Sequence, residues 1–310
     1  PRSRGLGDVY KRQDFSPQVD YLGVTVDAAR HYFPIDWLKR LVVYLHRLRF
    51  NMIHFRLSDD QNFAVRLESY PRLAYSMTSQ LYSPDELREL VVFAKRNYNI
   101  TIIPEIQLPN RVASWAGEPG LIAACPYYIC ERGKNIPLNL EHEKLPLILR
   151  GVIGEVIDIF SPPGTPLKFL HLGEGSHFAK ECIKEVSKEA DPFTGDMSRR
   201  FELLLKEVLK EVKYPEASVI RMQNTERNMQ VNLAGGIQHI WIDRLGRTSE
   251  SEIVVSTGLN FEDNHRALEI YQNAVKALHP FPNTRPKAII VGTWHLPPDD
   301  WLQRNVLARL

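Results

Sequence analysis

The residues that could do chemistry are carboxylates standing where apolar runs end. Lys168-Phe169-Leu170-His171-Leu172-Gly173-Glu174-Gly175-Ser176-His177 is an apolar strand that runs out into glycines around one carboxylate, Glu174. Asp27 closes the run from Tyr21 and is followed by Arg30 and His31, Asp59 and Asp60 follow the run Asn51 to Leu57, and Glu105 ends the run from Ile100. In a parallel barrel the carboxyl ends of the strands carry the reactive groups, so these side chains could converge on one mouth. Glu174 can act there as a general acid, with Asp27 or Glu105 as a second carboxylate, provided its surroundings raise its pKa. The competing role is an ion pair with Arg111 or another rim cation, which would keep Glu174 ionised. Asp27, Arg30 and His31 suit a buried knot of ion pairs and hydrogen bonds beneath the mouth. Asp59 and Asp60 could bind a ligand or cap nearby loop amides. His54 and His171, on apolar strands, read as satisfied core histidines, and the spacing shows no third partner for a metal, so no metal or cofactor is expected.

Elements that would position these residues alternate short apolar runs with amphipathic helices, the sequence form of βα units and a parallel sheet. Tyr21–Asp27 is the first predicted strand, and Ile35 to Phe50 the first helix, with Leu38, Leu41, Val42, Leu45 and Leu48 on one face. Asn51–Leu57 is the second strand. Ser83, Pro84 and Glu86 form the start signal of the next helix, a capping box with proline in the first turn. Ile100–Glu105 is the third strand, followed by a long loop and a helix to about Phe160, and Phe169–Gly173 is the fourth strand. Arg199–Lys213 has Phe201, Leu205, Val208, Leu209 and Val212 at helical spacing. Ser218–Met222, Gly236–Trp241, Glu252–Ser256 and Ala288–Trp294 supply strands five to eight. The predicted fold class is α/β, a single-domain (β/α)8 barrel over residues 14–310.

Four stretches resemble glycoside hydrolase family 20, the β-N-acetylhexosaminidases. Asp27-Ala28-Ala29-Arg30-His31-Tyr32-Phe33-Pro34 is similar to the family's Asp-x-x-Arg-His-x-Phe-Pro. Asn51 to Gln61 is similar to its Asn-x-x-His-Trp-His-Leu-Thr-Asp-Asp-Gln, and Pro104 to Pro109 to its Pro-Glu-Ile-Asp-Met-Pro, with Leu138-Asn139 matching a later Leu-Asn. The fourth-strand signature, His-Ile-Gly-Gly-Asp-Glu, aligns without gaps on His171 to Ser176. There the family's catalytic Asp-Glu pair falls on Gly175 and Ser176.

Further departures concern the rest of the sugar site. Leu22 stands where the family has a sugar-gripping arginine, Gln107 replaces the third-strand aspartate, and Arg111 replaces the histidine beside the catalytic acid. The Tyr-Leu-Asp that holds the acetamido group reads Asn260-Phe261-Glu262. The family's mechanism uses the substrate's own acetamide oxygen as nucleophile. It needs an acid for the leaving oxygen, an aspartate to orient the acetamide and a tyrosine to hold it. Gly175, Ser176 and Asn260 supply none of these. Trp241 and Trp294 match positions where the family walls its pocket with tryptophan, and an aromatic face can stack on a pyranose ring or simply pack. The resemblance thus implies a carbohydrate-metabolism scaffold without its hydrolytic pair: a pseudoenzyme that binds a glycan or serves as a structural module, or a glycosidase that uses Glu174. In that setting Asp27, Arg30, Asp59, Asp60, Glu105, Arg111, Trp241, Asn260, Glu262 and Trp294 would line the ligand site. The family relationship also favours a secreted or lysosome-like compartment.

Composition narrows the classes without choosing among these. The chain has 39 basic and 37 acidic residues among 310, a net charge of +2 with no long run of either sign, so nothing favours nucleic acid. No uninterrupted apolar stretch approaches the ~20 residues of a membrane span. Three cysteines are present. Cys125 and Cys130 share a loop that the family sometimes closes with a disulfide, and they could equally be reduced, while Cys182 suits packing. Asn99-Ile100-Thr101 is a formal glycosylation sequon beside a buried strand. Residues 1–13 read as a translated sequencing adapter and Trp301 to Leu310 as a helix that stops without a cap, so the expectation is a fragment truncated at both ends, in which any signal peptide or domain ahead of the barrel is beyond view.

Overall fold

Eight parallel strands close into a barrel in sequence order, with helices on the outside. The computed structural model describes residues 20–73, 80–123, 136–174, 194–222, 237–241, 253–258 and 288–292. The strands are β1 (Tyr21–Asp27), β2 (Met52–Arg56), β3 (Thr101–Glu105), β4 (Leu170–Glu174), β5 (Val219–Met222), β6 (Ile237–Trp241), β7 (Ile253–Gly258) and β8 (Ala288–Gly292). The helices are α1 (Ile35–Arg47), α2 (Pro84–Tyr98), α3 (Leu145–Ile159) and α4 (Thr194–Glu211). Closure is completed by β8 pairing with β1, Tyr21 opposite Ala288 and Val24 opposite Val291. Among the described residues no helix is long and apolar enough to cross a membrane.

Local chemistry accounts for the helix ends. Ser83 Oγ accepts the Glu86 amide and the Glu86 carboxylate accepts the Ser83 amide, the reciprocal box expected from sequence. Asn99 ends α2 in the left-handed conformation, φ 52°, which asparagine tolerates better than most residues. One difference from the sequence expectation matters: α4 begins at Thr194, ahead of Arg199. β8 is described to Gly292, and Trp294, expected to end it, lies outside the described residues.

The strand period of two then sorts the barrel interior into layers. Met52, Ile103, Phe169, Ile220, Ile237 and Ile290 pack as an apolar plug inside the barrel. Two residues further along the same strands, on the same face, come His54, Glu105, His171, Met222 and His239. A larger apolar shell, from Val24 and Val26 through Leu149, Val152 and Leu205, fills the space between strands and helices. The polar layer therefore sits on one apolar plug and is walled by another core, toward the carboxyl ends of the strands.

Candidate functional site

One line of register partners builds the mouth. Asp27 pairs with Arg56, Arg56 with Glu105, and Glu105 with His171, across β1 to β4. Paired residues on parallel strands face the same way, so four polar side chains converge from four adjacent strand ends.

Arg56 is the hub. It is 5% exposed, its Nε donates to Glu105 Oε1 at 3.1 Å and its Nη2 to Gln107 Oε1 at 3.4 Å. The same guanidinium ion-pairs closely with Asp59 and lies 3.6 Å from Asp27 Oδ2. Arg30 completes the knot by pairing closely with Asp27 and donating to Asp59 Oδ2 at 2.8 Å. Burial works against charge on Arg56, but Glu105, Asp27 and Asp59 outweigh it and raise its pKa above the ordinary value. Burial likewise opposes ionisation of Glu105, and the nearby His171, Arg56 and His54 hold its carboxyl well below the usual range. The expected knot of Asp27 and Arg30 is thus present, enlarged by Asp59 and Arg56. His31 follows in the turn after β1, where its backbone N–H donates to the Asp27 carbonyl at 3.1 Å, a main-chain bond outside the knot itself.

Asp60 turns away from this knot and caps loop amides: its Oδ1 accepts the Ala113 N–H at 3.2 Å, while its own N–H donates to Asp59 Oδ1 at 2.7 Å. Arg111 stands at the rim, 30% exposed, with Nη1 3.9 Å from Asp59. Leu22 is not a rim residue. It lies at the amino end of β1, where alternation turns it away from the interior and against the outer core.

Beneath the knot sits a histidine cluster. His54 Nε2 is 2.6 Å from Glu105 Oε2, and His171 Nδ1 is 3.8 Å from the same oxygen. His171 Nδ1 accepts the Gly173 N–H at 3.0 Å, so its Nε2 carries the proton and donates to His239 Nδ1 at 2.8 Å. Burial holds His171 well below its ordinary range and lowers His239 to about 3. Glu105 is therefore the third donor that sequence spacing did not show beside His54 and His171. Two groups escaped the sequence reading altogether, His239 and Arg221. Arg221 Nη2 donates to Glu202 Oε1 at 2.6 Å, and its Nη1 donates to Leu108 O at 3.2 Å and closely to Leu172 O. It ties β5 to the end of β4 and to the loop after β3, which contains a cis Leu108–Pro109 bond. A charged residue within an apolar strand was the available signal, since a buried cation demands a partner.

Glu174 ends β4 opposite Met222, after a register irregularity that begins at His171. Its backbone is thus at the mouth, while its side chain lies outside the described set. Gly173 just before it has φ +66°, and a Cβ there would stand 2.8 Å from Gln107 Cα, so the turn requires glycine. Trp241 is the last residue of β6, opposite Ser256. Gly175, Ser176, Asn260, Glu262 and Trp294, with Cys125, Cys130 and Cys182, lie outside the described residues.

Comparison with known proteins agrees with this architecture. The family model described as "Glycosyl hydrolase family 20, catalytic domain" matches residues 20–238. A relative from Dictyostelium discoideum, "Beta-hexosaminidase subunit A1", is 34% identical over 149 residues, 47% of this chain and 27% of its own length. "Beta-hexosaminidase subunit beta" of Felis catus is 26% identical over 254 residues, 78% of this chain and 46% of its own. The chain spans about a third of the length of the curated relatives it matches first. Among solved structures, "A Glycoside Hydrolase Family 20 beta-N-Acetylglucosaminidase" superposes with a TM-score of 0.68 at 18% identity, covering 95% of this chain and 70% of that one. A Vibrio harveyi exo β-N-acetylglucosaminidase, solved with N-acetylglucosamine, gives 0.66 at 16%, covering 95% and 54%. At these identities the structures speak for the fold.

Proposed function

The chain belongs to glycosyl hydrolase family 20, and from that premise we propose that it is a hydrolytically silent β-hexosaminidase-like barrel whose remaining role is to bind a glycan. The observation that carries this reading is the pair Gly175 and Ser176, which stand where the family's Asp-Glu falls. A serine hydroxyl is too weak an acid to protonate a glycosidic oxygen near neutral pH, and loss of the general acid alone removes roughly 10²–10⁴ in rate. The carboxylates at the mouth do not replace it, because Asp27 and Asp59 are bound to Arg30 and Arg56, and Glu105 is held ionised beside Arg56. Trp241 and Trp294 support the glycan-binding part, since two aromatic faces at the family's pocket positions can stack on a sugar ring.

A second reading keeps hydrolysis, with Glu174 as a displaced general acid. Its support is the position of Glu174 at the carboxyl end of β4, where barrel enzymes place reactive groups.

The deciding experiment is hydrolysis of a chromogenic β-N-acetylglucosaminide by the full-length protein, beside Glu174→Gln and a Gly175→Asp, Ser176→Glu double change. Silence in the unaltered protein, with turnover appearing in the double change, is the expected result and means that a sugar pocket survives around the missing pair. Unaltered protein that turns over, and stops doing so in Glu174→Gln, overturns the silent reading and makes Glu174 the acid. No turnover in any version, with no binding of N-acetylglucosamine by calorimetry, would leave a purely structural scaffold and reject the glycan-binding role.

A further inference from the structure

The polar layer inside the barrel carries a donor set that the family chemistry does not use. We propose that His54, Glu105 and His171 form a site for a divalent transition metal ion, zinc by preference.

Convergence is the first argument. Two imidazole nitrogens and one carboxylate oxygen, from β2, β3 and β4, lie within 4.8 Å of one another. His54 Nε2 is 2.6 Å and His171 Nδ1 is 3.8 Å from Glu105 Oε2. On tetrahedral zinc, bonds of ~2.0–2.2 Å put neighbouring donors about 3.3 Å apart; the two separations from Glu105 bracket that value, and the two imidazole nitrogens lie within 4.8 Å of each other. Rotation of the side chains would have to open the short gap and close the longer ones on binding. Two imidazoles and a carboxylate are a donor set that selects zinc over hard cations such as magnesium or calcium.

Support from the surrounding residues is the second. The outward nitrogen of a metal-bound histidine normally hydrogen-bonds to a fixed partner that sets its tautomer. His171 donates its Nε2 proton to His239 Nδ1 at 2.8 Å, which leaves Nδ1, the nitrogen facing Glu105, with its lone pair. His54 Nδ1, its outward nitrogen, is 3.3 Å from Thr25 Oγ1. Glu105 is oriented through its other oxygen by Arg56 Nε at 3.1 Å. Metal binding would displace two existing contacts, the Gly173 N–H that Nδ1 of His171 accepts at 3.0 Å and the 2.6 Å contact of His54 Nε2 with Glu105 Oε2, whose proton leaves as the ion binds.

Burial is the third. The donors are 0 to 1% exposed, so the ion enters as the barrel folds and does not exchange freely afterwards.

The test uses untagged protein, unfolded and refolded with excess zinc or cobalt and then desalted. The expected result is about one equivalent of metal per chain by mass spectrometry, with tetrahedral cobalt absorption bands in the visible. His239→Gln, which spares every ligand, should weaken zinc binding by roughly 10–100-fold. Glu105→Gln should lose the cobalt bands while retaining the circular dichroism of a folded barrel. Refolded protein holding below about a tenth of an equivalent, with no visible bands, overturns the site. Metal retained equally by the folded Glu105→Gln protein would do so too, by placing the ion elsewhere. Neither outcome depends on whether the mouth binds or hydrolyses a glycan.

Discussion

Replacing Arg56 with methionine tests whether the buried knot is as desolvated as its geometry implies. Methionine keeps an unbranched apolar stem of similar length, so the change removes the guanidinium with little loss of packing. The wild-type group is 5% exposed and serves Asp27, Asp59 and Glu105 together. Removing one partner of a buried ion pair strands the other, at about 3–5 kcal/mol. Arg30 still pairs with both Asp27 and Asp59 in the variant, so the charge left without its guanidinium is chiefly that of Glu105. We therefore expect a loss of about 3 kcal/mol, at the lower end of that range. The assay is urea unfolding at pH 7 with a chelator present, so that no bound ion substitutes for the guanidinium, and with the slope checked for constancy. A cycle with Asp59→Asn isolates one pair, and its coupling should be roughly 1–3 kcal/mol. A loss below about 1 kcal/mol, with no coupling, would refute the reasoning, because that is how a solvated surface pair behaves.

Two further substitutions read the backbone and one buried phenol. Gly173→Ala should cost roughly 2–5 kcal/mol, summing a left-handed backbone and a Cβ 2.8 Å from Gln107 Cα, whereas Gly154→Ala in α3, whose Cβ would meet Val212 at an ordinary 3.5 Å, should gain about 0.5–1 kcal/mol. Equal effects of the two changes in denaturant unfolding would reject the role given to the β4 turn. Tyr82 is buried, and burial raises its pKa, helped by Tyr32 and Glu86 and opposed by the Phe33 N–H that donates to its oxygen at 3.0 Å. The folded protein keeps that proton above pH ~10 while the unfolded chain loses it, so the stability it contributes is complete below pH 10 and falls above it by about 1.4 kcal/mol per pH unit. Unfolding measured from pH 9 to 11 should fall less steeply for Tyr82→Phe than for the unaltered protein, by one proton's worth. Identical slopes would mean that Tyr82 ionises in the folded state.

Legibility from sequence followed how local each feature is. The α2 start was readable because Ser83, Pro84 and Glu86 act on one another within a single turn. β1 was readable to its last residue because the apolar run ends at Asp27 and the chain turns at once. The knot of Asp27 and Arg30 was readable as an i, i+3 pair, but Asp59 and Arg56 belong to it only through the register of β1 on β2. The histidine layer was less accessible still. His54, Glu105, His171 and His239 come from four strands, and each alone looks like a polar residue tolerated in a core. Barrel closure and the stagger between strands bring them together, and neither is written in any one segment. Leu22 shows the reverse error. A motif match set it at the sugar site, whereas strand direction and alternation set it at the other end of β1.

The two halves of the proposal, a silent mouth and a metal-competent interior, meet at Glu105 and can be separated physically. A catalytic carboxylic acid needs a proton near neutral pH, and hence surroundings that favour its neutral form. The charged contacts described for Glu105 do the opposite: Arg56 donates to one oxygen, His54 approaches the other at 2.6 Å, and the register fixes both. Changing Glu105 into an acid would require removing Arg56, and that would leave Asp59 and Asp27 sharing the one guanidinium of Arg30. The knot therefore resists conversion of Glu105 into a general acid. A metal asks for what this environment already provides, an ionised carboxylate beside imidazoles held by their outward nitrogens. On the proposed reading, acid catalysis at the mouth would thus be sought on β4, at Glu174 or at positions 175 and 176, and not at Glu105.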